Sequence, residues 1–325
     1  MLVSLFPFLL NIYIHIYIYI YIFFYEMSQQ QQQQQQFISY SIAMVTPFTL
    51  EGDLCIDSIP ELVKFYINKL EAPGLLISGS TGEQHCMTIA ERKQLYQIVA
   101  DTASKGFPLY AGVAAFKTKD AIELAQAAQR SGFAGIMLGV PPYRLPSQRE
   151  IKQYVIDVAK TVKIPIFLYN NPSGNGVQIE PETYASIASI ADNVYGLKEV
   201  GNPANVNRVK ELLGDKAAQH TFFTGTDEEY VEAYTAQGYT GITTVAGNVF
   251  SKEMKQAVDY LHNNQTKEGK ELMVSLVPKI QVLLDAGLLQ SVKYILRKRG
   301  APAGFCPPPL LDPTEEHKAL LDAFV

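Results

Sequence analysis

Cysteine is scarce in this 325-residue chain: Cys55, Cys86 and Cys306 are too widely spaced for a zinc cluster or a disulfide framework. Clustered positive charge is also missing. With 27 basic against 32 acidic residues, a net charge of −5 and no basic block, the chain lacks the electrostatic footprint of a nucleic-acid-binding protein. None of His15, His85, His220, His262 and His317 stands with carboxylates at metal-ligand spacing, so no metal site is expected. No Gly-x-Gly-x-x-Gly follows the first predicted strand and no Gly-Lys-Ser/Thr closes a glycine-rich loop, which removes the dinucleotide and P-loop fingerprints. The cysteine usage fits a reducing compartment, the cytoplasm. Cys86 reads as a buried thiol rather than a nucleophile, since only the adjacent His85 is placed to activate it.

What is present falls into two parts. Residues 2–25 are almost wholly apolar and long enough to span a bilayer, while residues 29–36 are all glutamine and have no means of packing a core. One reading is a signal anchor. The other is a mistaken start: Ile-Tyr repeats are what an alternating A/T tract encodes, and Met27 would then be the initiator. The second is preferred, because no Lys or Arg precedes the apolar run and no small-residue cleavage site follows it. Residues 1–36 are therefore expected to be disordered or foreign to the fold.

From Phe37 onward, short apolar runs alternate with amphipathic segments, the pattern of parallel strands joined by crossover helices. Strands are predicted over 41–46, 74–78, 109–113, 134–138, 164–169, 194–198, 221–224 and 241–244. Helical punctuation lies between them: Pro60 inside a first turn, Thr118 as a cap, Gly132 as a stop and Pro181 opening another helix. Eight βα units predict a (β/α)8 TIM barrel over 37–250, with an open doubly wound sheet as the competing architecture. Residues 251–325 would supply the last barrel helix and a C-terminal helical appendage, with helical patterns over 265–284, 288–299 and 314–324.

In such a barrel, chemistry belongs at the C-terminal ends of strands and in the loops after them. Lys198 ends the sixth predicted strand. Burial disfavours its ammonium and leaves an amine able to form a Schiff base with a ketone, although most strand-end lysines are surface charges. The loop Gly79-Ser80-Thr81-Gly82-Glu83 follows the second strand. Its glycines let backbone N–H groups approach a small anion and its hydroxyls add donors, which suits a 2-oxo acid carboxylate; a polar tight turn is the plainer alternative. Tyr169, ending the fifth strand, is either a satisfied core tyrosine or the phenol that shuttles protons to the carbinolamine.

These motifs resemble the dihydrodipicolinate synthase and N-acetylneuraminate lyase family of pyruvate-dependent class I aldolases. The resemblance runs from about Ser39 to the C-terminus. It also takes in Ala43-Met44-Val45-Thr46-Pro47-Phe48, Tyr143 before Pro146-Ser147-Gln148, the Tyr-Asn-x-Pro ending at Pro172, Gly225-Thr226-Asp227 and Asn248. It implies a homotetrameric barrel that needs no cofactor, the imine itself being the electron sink. Lys198 would bind pyruvate covalently and Tyr169 would relay protons. Ser80, Thr81 and Gly82 would hold the carboxylate, and Thr243 would offer a backbone contact to the pyruvyl group.

Departures from the pattern bear on the substrate. Gly174 stands where the synthases carry an arginine for the carboxylate of aspartate semialdehyde. Tyr143 keeps the tyrosine that these enzymes lend across a dimer interface, but with Pro142 before it and Arg144 after it. Arg144 either meets an acidic substrate or is a solvated loop arginine. Gly225, Asp227 and Glu228 look like the sugar-acid branch, where the carboxylates bind hydroxyls; Asp227 also suits a helix cap. Val245 stands where neuraminate lyases offer a hydroxyl. The expected function is cleavage or formation of a 2-keto-3-deoxy sugar acid through a pyruvate Schiff base. A dihydrodipicolinate synthase, a same-family dehydratase and a non-catalytic sugar-acid-binding barrel are the alternatives. The expected partners are a small 2-oxo acid and further copies of the chain, as dimer or tetramer, with no membrane unless the N-terminal segment is real.

Overall fold

The computed structural model describes residues 17–21 and 38–325. Residues 17–21 are helical; the rest of the anchor or mistaken-start segment, Met27 and the glutamine tract lie outside the described residues. Met1–Ile38 and Ser39–Val325 are separate units, and the second contains the fold. Among the described residues no single helix is long and apolar enough to cross a membrane.

Eight strands form: β1 Tyr40–Ala43, β2 Leu75–Ile77, β3 Leu109–Val113, β4 Gly135–Gly139, β5 Ile166–Asn170, β6 Val194–Glu199, β7 Thr221–Thr224 and β8 Gly241–Thr244. Each pairs in parallel with the next, and β1 closes on β8, so the sheet is a closed barrel rather than an open one. The strands are buried almost throughout because side chains fill the barrel inside while helices cover it outside. Two edges differ from the sequence expectation by two residues or more. β1 stops at Ala43 because the chain then leaves the sheet and Phe48 bridges Leu54 and Phe305 instead. β5 starts after Pro165, which has no N–H to give to a ladder.

The helices α1 Ile59–Asn68, α2 Ile89–Thr102, α3 Thr118–Arg130, α4 Gln148–Ala159, α5 Pro181–Ala188, α6 Asn205–Leu213, α7 Tyr230–Gln237 and α8 Ser251–His262 follow the strands one by one. Pro60 and Pro181 sit in first turns, where a missing N–H costs nothing. Thr88 opens α2 with a reciprocal cap: its hydroxyl accepts from Glu91 N–H at 3.2 Å, and its own N–H donates to the Glu91 carboxylate at 2.7 Å. Thr118 does not cap. It is the first helical residue of α3, and Lys117 occupies the cap position without a side-chain bond. Gly132 ends that helix at φ +80°, a left-handed turn that glycine takes without strain. Beyond the barrel run α9 Thr266–Asp285, α10 Leu288–Lys298 and α11 Glu315–Leu321, the last capped by Thr314 and followed by a 3-10 turn over Asp322–Phe324.

Candidate active site

Strand register brings the two central side chains together. Gly139, Tyr169, Lys198 and Phe223 stand in one row across β4 to β7. Paired residues of parallel strands share a face, and Lys198 Nζ lies 4.9 Å from the Tyr169 ring centroid. Lys198 is 5% exposed. Burial pulls its ammonium down to about 8, and the Asp227 carboxylate only partly opposes this. Gly225 makes room for it: a Cβ there would collide with Lys198 Cε and stand 3.0 Å from Nζ.

The Tyr169 hydroxyl is held from two sides. Asn171 Nδ2 donates to it at 3.0 Å, and Ser80 bonds to it as well. Burial raises the phenol's pKa, and these two hydrogen bonds act against the rise. The neighbouring residues Asn170 and Glu199 form an outward-facing lock. Asn170 Nδ2 donates to the Glu199 carboxylate at 2.7 Å, Gly201 N–H donates to it at 2.6 Å, and Asn170 Oδ1 accepts from Ile179 N–H at 2.8 Å.

The Ser80–Thr81 loop is fixed at both ends. Thr46 Oγ1 donates to the Gly82 carbonyl at 2.8 Å, which gives the Thr46-Pro47 motif its role. Gly82 has no space for a side chain, with Ser78 N 3.0 Å from a Cβ position. Glu83, in the left-handed region at φ +53°, forms an ion pair with Lys293 of α10. Both side chains are buried to 1% or less. Lys293 also donates to the Phe305 carbonyl at 2.7 Å and lies 4.9 Å from the Phe48 ring centroid. Behind the loop, buried Arg92 of α2 donates to Ser78 Oγ at 3.0 Å, Gln84 Oε1 at 2.8 Å, Gly112 O at 2.8 Å and Ala114 O at 2.6 Å. Among the described residues no carboxylate pairs with it.

Between these elements lies a cavity of about 250 Å³ lined by Ser80, Thr81, Tyr169, Lys198 and Gly225, among others. Other predicted site residues lie elsewhere. Gly82 is buried behind the loop. Thr243, in β8, accepts a hydrogen bond from Ser41 Oγ at 3.0 Å and does not line the cavity. Asp227 is buried with Oδ2 accepting from Val245 N–H at 3.0 Å and Ala246 N–H at 2.7 Å, while Oδ1 has no hydrogen-bond partner. Burial raises its pKa to about 6. Asp227 does not cap a helix, since α7 begins at Tyr230 after Glu229. Glu228 is exposed, so neither carboxylate reaches the cavity wall. Tyr143 is 87% exposed at φ +74° and stands outside the cavity. Arg144 is exposed. Cys86, expected to be buried, is exposed, because it ends the short 3-10 turn Gln84–Cys86; Cys306 is the buried thiol.

Four participants escaped the sequence reading: Asn171, Arg92, Lys293 and the Leu288-Leu289 pair that lines the cavity from α10. Asn171 was within reach, lying inside the Tyr-Asn-x-Pro motif. The others come from helices whose placement no local pattern encodes. Among the described residues no three His, Cys, Asp or Glu side chains converge as a metal would require.

A closed parallel barrel with a depressed-pKa lysine and a hydrogen-bonded tyrosine at its strand ends has the form of a class I aldolase. Comparison with known proteins agrees. The model of the dihydrodipicolinate synthetase family matches residues 36–325. The 4-hydroxy-tetrahydrodipicolinate synthase of Acetivibrio thermocellus is 29% identical over 285 residues, covering 88% of this chain and 95% of that protein. The enzyme of the same name from Methanocaldococcus jannaschii is 30% identical over 280 residues, covering 86% and 94%. Among solved structures, dihydrodipicolinate synthase from Aquifex aeolicus superposes with a TM-score of 0.82 at 26% identity, covering 88% and 96%. CdNal from Clostridium difficile, solved in complex with mannosamine, gives 0.81 at 25% identity over the same shares. The chain belongs to the dihydrodipicolinate synthetase family, whose members are pyruvate-dependent class I aldolases and lyases, and it is a carbon–carbon lyase.

Proposed function

We propose that Lys198 forms a Schiff base with the keto carbon of pyruvate and that the protein makes or breaks the bond between pyruvate C3 and an aldehyde carbon. The single observation that carries this is the buried Lys198 amine, its pKa lowered by burial, beside the Tyr169 ring in the cavity lining. The amine adds to C2, and Tyr169 protonates the departing oxygen so that the carbinolamine loses water to give the imine. Loss of a C3 proton gives an enamine that attacks the aldehyde carbon, and hydrolysis returns Lys198. Cleavage is the reverse. The Ser80 and Thr81 hydroxyls, beside the lysine in the same lining, are the donors for the carboxylate.

For the aldehyde, the names of the curated relatives support the synthase alternative more than the sugar-acid reading. Of the proposed hydroxyl binders, Asp227 has Oδ2 on two backbone amides and Oδ1 without a hydrogen-bond partner, and Glu228 faces solvent. Tyr143 remains a candidate for a relay shared between copies of the chain, exposed as it is with Phe116 and Leu145. A Tyr143→Phe variant with unchanged kcat would remove it from that role. Incubation of the protein with pyruvate and sodium borohydride, read by intact mass and peptide mapping, tests the main reading. One reduced pyruvyl group on Lys198 is expected, and a folded protein that gains none refutes it.

A further inference from the structure

Resting on that Schiff-base reading, we propose that the aldehyde this site accepts is small, uncharged and apolar. The cavity lining contains two ionisable side chains, Lys198 and Tyr169, and both are consumed by the pyruvate half of the reaction. Ser80 and Thr81 are committed to the carboxylate, and Ser80 also holds the Tyr169 hydroxyl. Gln84 is the other polar side chain in the lining; its Oε1 already accepts from Arg92 at 2.8 Å, which leaves its Nε2 as the one further side-chain donor. The remaining bulky side chains are Leu76, Val113, Met137, Val245, Leu288 and Leu289.

An acidic aldehyde would need a further cation in this wall, and among the described residues lining it Lys198, taken up by pyruvate, is the one cation. Position 174, two residues after Pro172, supplies none, because it is glycine. Arg92 lies behind the lining with four donor contacts spent on Ser78, Gln84, Gly112 and Ala114. A polyhydroxylated aldehyde fares no better, because each hydroxyl enclosed against Met137 or leucine gives up water without gaining a partner. An alkyl or aryl aldehyde gives up only apolar hydration there. The volume of about 250 Å³ is shared with the pyruvyl group, which limits the aldehyde to a small one.

The experiment offers the full chain, with pyruvate, a panel of aldehydes: butanal and benzaldehyde, glyceraldehyde, glyoxylate and aspartate semialdehyde. Pyruvate consumption gives kcat/KM for each, and borohydride trapping with pyruvate alone runs in parallel. The expected result is a trapped adduct and a kcat/KM for butanal or benzaldehyde at least about tenfold above the charged and hydroxylated aldehydes. A Leu289→Arg variant should raise the glyoxylate-to-butanal ratio by about tenfold, since it places the missing cation in the wall. An adduct with equal rates, or with the highest rate for glyoxylate, aspartate semialdehyde or glyceraldehyde, overturns the inference and leaves the Schiff-base reading standing. Failure to trap any adduct overturns both.

Discussion

Replacing Lys198 with methionine should make the protein more stable while abolishing adduct formation. The ammonium is pulled from the ordinary lysine value of 10.5 to about 8 by burial at 5% exposure. Below pH 8 the folded protein must keep a charged lysine in a dry site, whereas the unfolded chain keeps the same charge in water. A base whose folded pKa is depressed destabilises the fold fully below that pKa, and the penalty fades between pH 8 and 10.5 as the unfolded chain loses its proton too. With those two values the penalty is about 3 kcal/mol at pH 7 and under about 1 kcal/mol at pH 10. Methionine keeps a similar length without charge. Urea unfolding at both pH values should therefore show Lys198→Met gaining about 3 kcal/mol at pH 7 and little at pH 10. The same depression leaves roughly a tenth of Lys198 as free amine at pH 7, against about three in ten thousand for a solvated lysine. A variant no more stable than wild type at pH 7, or a gain that does not shrink by pH 10, would refute the reasoning.

The Glu83–Lys293 pair makes the opposite prediction. Glu83→Gln or Lys293→Met alone should cost about 3–5 kcal/mol in urea unfolding, by stranding a buried charge, and the double variant should cost less than the sum. Single losses below about 1 kcal/mol would show that the pair is hydrated. Tyr169→Phe keeps the ring over Lys198 but removes the hydroxyl that Asn171 holds. Its kcat should fall about 10²–10⁴-fold while borohydride still traps a pyruvyl group, and an unchanged kcat would remove Tyr169 from the relay. Gly225→Ala places a Cβ against Lys198 Cε. Trapping should slow by about tenfold or more with the circular dichroism spectrum intact, and undiminished trapping would show that the lysine has another way to lie.

The barrel was legible because its eight strands are separate apolar runs of the right length, each followed by an amphipathic segment. The centre of the site was legible for a related reason. Lys198 and Tyr169 each stand one residue before the C-terminal end of a strand, and strand ends are where a barrel exposes chemistry. Pairing along the sequence order then determines that β5 and β6 are neighbours. What was hidden depends on contacts between residues far apart in the chain. Lys293 meets Glu83 from α10, and nothing in Leu288–Lys298 taken alone separates it from a surface lysine. Asp227 and Glu228 do not line the cavity, and a motif gives residue types and not directions. The amides of Val245 and Ala246, from the loop after β8, hold Asp227 Oδ2.

Among the described residues the protein buries two lysines, Lys198 and Lys293, in different surroundings, and the contrast argues for the role of Lys198 more strongly than burial alone. Lys293 is surrounded by what keeps an ammonium charged: the Glu83 carboxylate, the Phe305 carbonyl and the Phe48 ring face. Burial lowers its pKa although the Glu83 carboxylate opposes this, and the ion pair ties the Ser80–Thr81 loop to α10. Lys198, among the described residues, has neither an ion pair nor a hydrogen bond; its cationic form is met by the Tyr169 ring and by the unscreened charge of Asp227. A structural lysine gains from every acceptor supplied to it. A nucleophilic one must be denied them, because each acceptor that stabilises the ammonium removes the lone pair that attacks the ketone. Asp227 satisfies both demands from a distance. Its Oδ2 is spent on two backbone amides, so its charge moderates the depression of Lys198 without a direct bond that would hold the proton there.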